Sequence, residues 1–211
     1  MAKRSRGSAL GDDADRVIDA VMELVLVEGW VRLTMSRIAQ TAGISLVDLY
    51  VLFPSKQAVL AAFFQRIDVA MSRALDSNAE PEVSARDRLF EVVMARFDAL
   101  LPYKESVRRI VGEACFDPAG LVCLAPVFRR SLSWMLECSG LSSSGLRGAV
   151  RLKGLAGIYV YTFAIWLRDD SEDMTKTMAA LDQRLSHAEQ IVQHICSLGK
   201  LRPEASVDAA T

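Results

Sequence analysis

Apolar residues recur at intervals of three and four along almost the whole chain, and no run alternates apolar and polar residues as a half-buried strand would. The pattern predicts an all-α protein of about nine helices. Asp12 or Asp13 opens the first, Val17, Ile18, Val21, Leu24 and Val25 form its inner face, and Gly29 closes it. Trp30 and Leu33 pack the corner that follows. Two short helices come next, one around Ile38-Ala39 and one around Leu49-Tyr50. Between them, Gly43 supplies a left-handed turn, Ile44 fills the angle and Ser45 caps the second helix. Ser55 caps a fourth helix from about Lys56 to Ser77, with Val59, Leu60, Phe63, Phe64 and Ile67 inward, and Asp76 to Ser84 reads as a linker.

The second half continues in the same period. Pro81 occupies a first helical position, and Leu89, Val92, Val93, Phe97 and Leu100 define a fifth helix that stops before Pro102. A sixth runs from about Tyr103 to Cys115. Asp117-Pro118 opens a seventh that bends at Pro126 and ends near Gly140. The eighth, Leu146 to Arg168, contains fourteen residues that are apolar on every side, so it has to be covered on several faces. Gly154 and Gly157 permit close approach of another helix. The ninth carries Met178, Leu181, Leu185, Ala188, Ile191, Val192 and Ile195 as a stripe that suits pairing with the eighth. Together these two helices read as half of a four-helix interface between identical subunits, with Gly154, Gly157, Leu181, Leu185 and Val192 at its centre.

Composition narrows the classes. A chain of 211 residues with 51% hydrophobic content can bury a substantial core, and its net charge is −1. No apolar run reaches bilayer length and the basic N-terminus lacks a signal-peptide core, which predicts a cytoplasmic protein without a transmembrane segment. Cys115, Cys123, Cys138 and Cys196 show no metal or disulfide spacing, and His187 and His194 lie two turns apart on one helix. No nucleophile motif, phosphate loop or carboxylate pair is present, so neither catalysis nor a cofactor is expected. Among the aromatic residues of the second half, Phe97, Trp134 and Tyr159 are the candidates for lining a pocket for a small apolar effector or lipid.

Thr34, Ile38-Ala39, Ala42-Gly43-Ile44-Ser45, Leu49-Tyr50, Phe53 and Ser55-Lys56, in that order and spacing, resemble the helix-turn-helix of the TetR family of bacterial repressors over roughly residues 12 to 72. The resemblance implies a homodimer that binds a palindromic operator in double-stranded DNA and responds to a small ligand. Thr34, Arg37, Ser45, Leu46, Val47, Tyr50 and Lys56 are then the DNA-facing set: Tyr50 and Lys56 on phosphates, Ser45, Leu46 and Val47 near base edges. The chain departs from the family at Val47, where a small residue is usual, at Leu52, and at Asp48, which caps the helix or accepts from a cytosine amino group. Over residues 1 to 56, Lys3, Arg4, Arg6, Arg16, Arg32, Arg37 and Lys56 balance Asp12, Asp13, Asp15, Asp19, Glu23, Glu28 and Asp48, leaving no net charge for non-specific DNA attraction.

A second resemblance lies in Leu152 to Arg184. Lys153-Gly154, Gly157-Ile158-Tyr159, the corner Trp166 to Ser171 and Ala180 to Arg184 are similar to the C-terminal part of lipid-binding ubiquinone-biosynthesis proteins that share the TetR architecture. It implies the alternative, an accessory protein for a lipid or isoprenoid quinone with weak or no DNA binding. The domain organisation that follows is a flexible basic arm over 1–11, a DNA-binding domain over 12–72, a ligand-binding and dimerisation domain over 82–199 and a flexible tail over 200–211.

Overall fold

The computed structural model describes residues 2–76, 84–113 and 118–200, with side chains described for 11–75, 84–113 and most of 120–194. Among these residues the chain is all-α, as its periodicity predicts. In order the helices are α1 (Ala2–Glu28), α2 (Met35–Ala42), α3 (Leu46–Leu52), α4 (Lys56–Asp76), α5 (Ala85–Leu100), α6 (Lys104–Glu113), α7 (Pro118–Cys138), α8 (Gly145–Trp166) and α9 (Thr175–Lys200), with a 3-10 turn at Leu101–Tyr103.

Helices α1, α2 and α3 form a small head, and α5 and α7 to α9 form the larger body. Helix α4 belongs to both, packing on α1 as well as on α5 and α7. Its buried face, Val59, Leu60, Phe63, Ile67 and Met71, explains this, since the apolar stripe continues for the whole length of the helix. The sixth helix returns to pack against α1, where the Ser106 hydroxyl donates to the Met22 carbonyl at 2.8 Å.

Two helix starts differ from the sequence reading. Helix α1 begins at Ala2, not at Asp12, so the expected flexible arm is helical in backbone; no proline interrupts this stretch, and its two glycines each cost only about 1 kcal/mol. Helix α5 begins at Ala85, because Ser84 accepts from the Asp87 amide and donates to its carboxylate, a local cap that fixes the start there. Pro81, Cys115, Asp117, most of the linker and the tail beyond Lys200 lie outside the described residues. Helix α7 continues through Pro126.

The corner between α8 and α9 is built on one carboxylate. Asp169, almost wholly buried, accepts from the Ser171 and Thr177 amides at 3.2 and 2.9 Å and from their hydroxyls at 2.5 and 2.7 Å. Arg108 from α6 donates to the Leu167 carbonyl and Lys104 to that of Asp169, so carbonyls of the corner just past α8 are also satisfied. Burial opposes ionisation of Asp169, but the Ser171 and Thr177 donors outweigh it and hold its pKa well below the usual carboxylate range.

A depressed folded-state pKa means that the charge stabilises the fold above the ordinary carboxylate pKa, and that this stabilisation fades as pH falls below it. Asp169→Asn is therefore expected to lose about 1–3 kcal/mol at neutral pH. In urea unfolding across a pH series, its deficit against the parent should narrow below about pH 4.

Candidate nucleic-acid interface and helical body

The head is held by three backbone devices. Thr34 caps α2 by accepting from the Arg37 amide. Gly43 ends α2 in the left-handed region with φ of 67°, its amide bonded back to α2. Ser45 then caps α3, accepting from the Asp48 amide at 3.0 Å and donating to the Asp48 carboxylate at 2.6 Å. Asp48 thus serves the cap at the positive end of α3. Leu49 is the buried anchor of α3, and its opposite face is unusually apolar for a surface. Leu46, Val47, Tyr50 and Val51 all point outward, with Val47 73% and Tyr50 67% exposed.

The cations expected beside them are occupied. Arg37 pairs with Glu28 at 2.6 Å and donates to Gln40. Lys56 donates to the Trp30 carbonyl at 2.9 Å and lies 4.9 Å from the centre of the Trp30 ring. The resemblance puts Lys56 on a phosphate; its ammonium here bonds the carbonyls of Trp30 and Val31 in the α1–α2 turn. From the far side, Glu113 of α6 accepts from the Val31 amide at 2.9 Å, and this bond, more than the neighbouring Arg109, keeps its pKa low. Gly29 makes the clamp possible, since its φ is 83° and a Cβ there would sit 2.5 Å from a Glu113 oxygen.

Of the three pocket candidates, two lie in the core and one lies at the surface. Phe97 and Tyr159 stack on each other in the core at 5.5 Å between ring centres, in a set completed by Phe163 and Trp166. Trp134 is half exposed, donating from Nε1 to Ser72 Oγ at 2.8 Å. Two open clefts lie elsewhere: one of about 670 Å³ between the end of α1 and α6, lined by Val31, Arg32, Arg109 and Glu113 among others, and one of about 440 Å³ lined by Ser55, Ala58 and Cys123 among others.

A group that sequence reasoning missed stands beside the aromatic stack. Arg96, only 3% exposed, donates from Nη1 to the Asp68 carboxylate and from Nε to the Tyr159 hydroxyl at 3.0 Å, while Ser131 donates to the same carboxylate at 2.7 Å. One residue each from α4, α5, α7 and α8 takes part. The signal was available: Arg96 falls on the stripe Leu89, Val92, Val93, Phe97, Leu100, where a charge has to be buried.

The interface candidates divide. A side chain at Gly154 or Gly157 would meet nothing within 4 Å, and both glycines are exposed. They lie on an outward stripe of α8 with Leu146 (84% exposed), Val150 and Val160. Leu181 and Leu185 are instead buried within the protomer, because α9 turns that face onto α8 and α5. This removes them from a subunit contact. The side chain of Val192 lies outside the described residues.

Residues 17–63 match the family model of bacterial regulatory proteins of the tetR family, and residues 151–192 match that of COQ9. Similar folds occur in a TetR transcriptional regulator from Nitrosomonas europaea (23% identity, 84% of this chain and 98% of that one, TM-score 0.68) and in the fatty acid degradation regulator FadR from Bacillus halodurans (18%, 82% and 94%, 0.57). A third is the repressor FadR from Thermus thermophilus in complex with lauroyl-CoA (16%, 93% and 100%, 0.52). This is a TetR-fold chain with a COQ9-like C-terminal segment. None of the curated proteins matches it in sequence.

Within the TetR fold the COQ9-like segment covers most of α8, the Asp169 corner and α9 up to residue 192. Residues within it have structural tasks: Asp182 pairs with Arg86 of α5 at 2.5 Å, and the Arg184 guanidinium stacks 3.9 Å from the Tyr161 ring centre. Among the described residues no single helix is long and apolar enough to cross a membrane.

Lys56→Ala is expected to lower stability by about 1–2 kcal/mol through loss of the carbonyl contact and the cation–π pair. Thermal unfolding checks this, since a lysine serving phosphates alone would leave the transition where it is.

Proposed function

We propose that the protein is a dimeric, ligand-responsive DNA-binding regulator, most simply a repressor, acting in the cytoplasm. The observation that carries this reading is α3: a capped helix set at a fixed angle by Gly43, anchored by Leu49, and presenting Leu46, Val47 and Tyr50 to the outside in the segment that matches the tetR model. Ser45, Leu46 and Val47 then approach base edges, where Val47 favours a thymine methyl group, and the Tyr50 hydroxyl donates to a phosphate. Thr34 and Arg37 act at the start of α2, with Arg37 exchanging Glu28 for a phosphate. The neutral charge of residues 1–56 makes binding depend on these contacts more than on counterion release.

The dimer is proposed along the outward stripe of α8, with Gly154 and Gly157 at the closest approach and the exposed turns of α9 beside it. The effector is apolar and enters among α4, α5, α7 and α8. The FadR of known structure that holds lauroyl-CoA supports an acyl ligand, and the COQ9-like segment supports the second reading, an accessory protein for a lipid or isoprenoid quinone.

One experiment tests the dimer contact and a second separates the two readings. Gly157→Leu has room within the protomer, so a shift from dimer to monomer in sedimentation reports the subunit contact; an unchanged dimer moves the interface elsewhere. Tyr50→Phe removes one exposed hydroxyl, and anisotropy on a genomic fragment retained by the purified protein should show affinity about fivefold weaker at an unchanged melting temperature. A protein that retains no DNA at low salt, but co-purifies with a lipid, is the accessory protein.

A further inference from the structure

We propose that Glu113 of α6 and Lys56 of α4 are a joint positioning pair for DNA reading. They hold one peptide of the α1–α2 turn between an anion and a cation, and so set the attitude of α2 and α3 without touching DNA themselves. The inference rests on the DNA-reading proposal above and names the supports outside the reading helix on which affinity and half-site spacing depend.

The peptide is the one between Trp30 and Val31. A trans peptide points its carbonyl and its N–H to opposite sides. Its N–H donates to Glu113 Oε2 at 2.9 Å, and its carbonyl accepts from Lys56 Nζ, also at 2.9 Å. Each charge polarises the peptide in the sense that strengthens the opposite bond, so the two contacts act as a unit. The same carbonyl accepts from the Leu33 amide at 3.3 Å, and the Thr34 cap of α2 follows directly. The orientation of this peptide is therefore passed to α2 and, across the Gly43 turn, to α3.

The second observation is where the anion comes from. Glu113 is the last residue of α6, a helix tied at one end to the α8–α9 corner and at the other to the head. Lys104 and Arg108 donate to the Asp169 and Leu167 carbonyls of that corner. Further along, Ser106 donates to the Met22 carbonyl at 2.8 Å and Arg109 to the Leu26 carbonyl at 2.6 Å, while Val107 and Ile110 are buried. Helix α6 is thus a strut of 10 residues, about 15 Å long, from the corner to the turn.

The third is the room made for the carboxylate. Gly29 is buried with φ of 83°, a backbone that L side chains rarely adopt, and a Cβ there would lie 2.5 Å from Glu113 Oε1. Arg109 steadies the same carboxylate at 3.3 Å.

The test uses fluorescence anisotropy on an inverted-repeat duplex that the purified parent enriches from a random pool, with and without a base pair inserted between the half-sites. All variants are measured below their melting temperatures. Glu113→Ala and Lys56→Ala are each expected to weaken binding about tenfold, and the double variant to bind about as well as either single one. Both should narrow the preference for the uninserted spacing and leave the salt dependence of binding unchanged. Glu113→Gln keeps an acceptor for the Val31 amide and should recover most of the loss. A folded Glu113→Ala that matches the parent in affinity and spacing preference overturns the proposal, as does a double variant whose loss is the product of the single losses. A Lys56→Ala salt slope lower by about one counterion places that lysine on a phosphate and also overturns it. A parent that retains no duplex at low salt removes the DNA-reading proposal and this one with it.

Discussion

A guanidinium taken out of water has to keep an anion, and in this chain that requirement fixes how the head is joined to the body. Arg96 of α5 finds its anion on α4, and the same carboxylate is held by Ser131 of α7 while Tyr159 of α8 closes the other side of the guanidinium. Deleting one partner of such a pair costs about 3–5 kcal/mol, far more than any exposed ion pair on the surface. Since α4 is also the floor of the head, through Val59, Leu60 and Phe63, its position is set jointly by the ionic knot and the apolar stripe.

The head itself is rigid for a different reason. Its two short helices, α2 and α3, bury little area each, and the ends are fixed by side-chain caps at Thr34 and Ser45, by the left-handed Gly43 and by the Lys56 and Glu113 contacts to the turn after α1. Glu113 lies on α6 and so connects that turn directly to the body. The head is gripped twice, by α4 beneath it and by α6 at the end of α1, and motion in either is felt at α3.

Much of this was legible in the sequence, and the residues show why. Gly43 and Ser45 act locally, within four residues of the bonds they make, so their roles were read correctly from spacing alone. The all-α class followed from periodicity. Helix starts were less secure: Ser84-x-x-Asp87 caps α5 at Ala85, and α1 extended back to Ala2. Long-range choices were not legible. Leu181 and Leu185 satisfy one apolar stripe equally well in a subunit contact or in the protomer's own core, and only packing against α8 and α5 decides between them. Lys56 likewise has two possible anionic or carbonyl partners, and the nearer, Trp30, is 26 residues away. The Asp169 corner looks like a functional motif in sequence, and the structure shows a cap serving both flanking helices.

The central claim is that α3, carried by a two-fold dimer, reads duplex DNA. The most direct measurement is sequencing of the duplexes that the purified protein retains from a random pool at low salt. The account predicts enrichment of inverted repeats whose half-site centres are about one helical turn, roughly 34 Å, apart, as two heads related by a dyad require. Retention without any enriched sequence, or no retention at all, would contradict it.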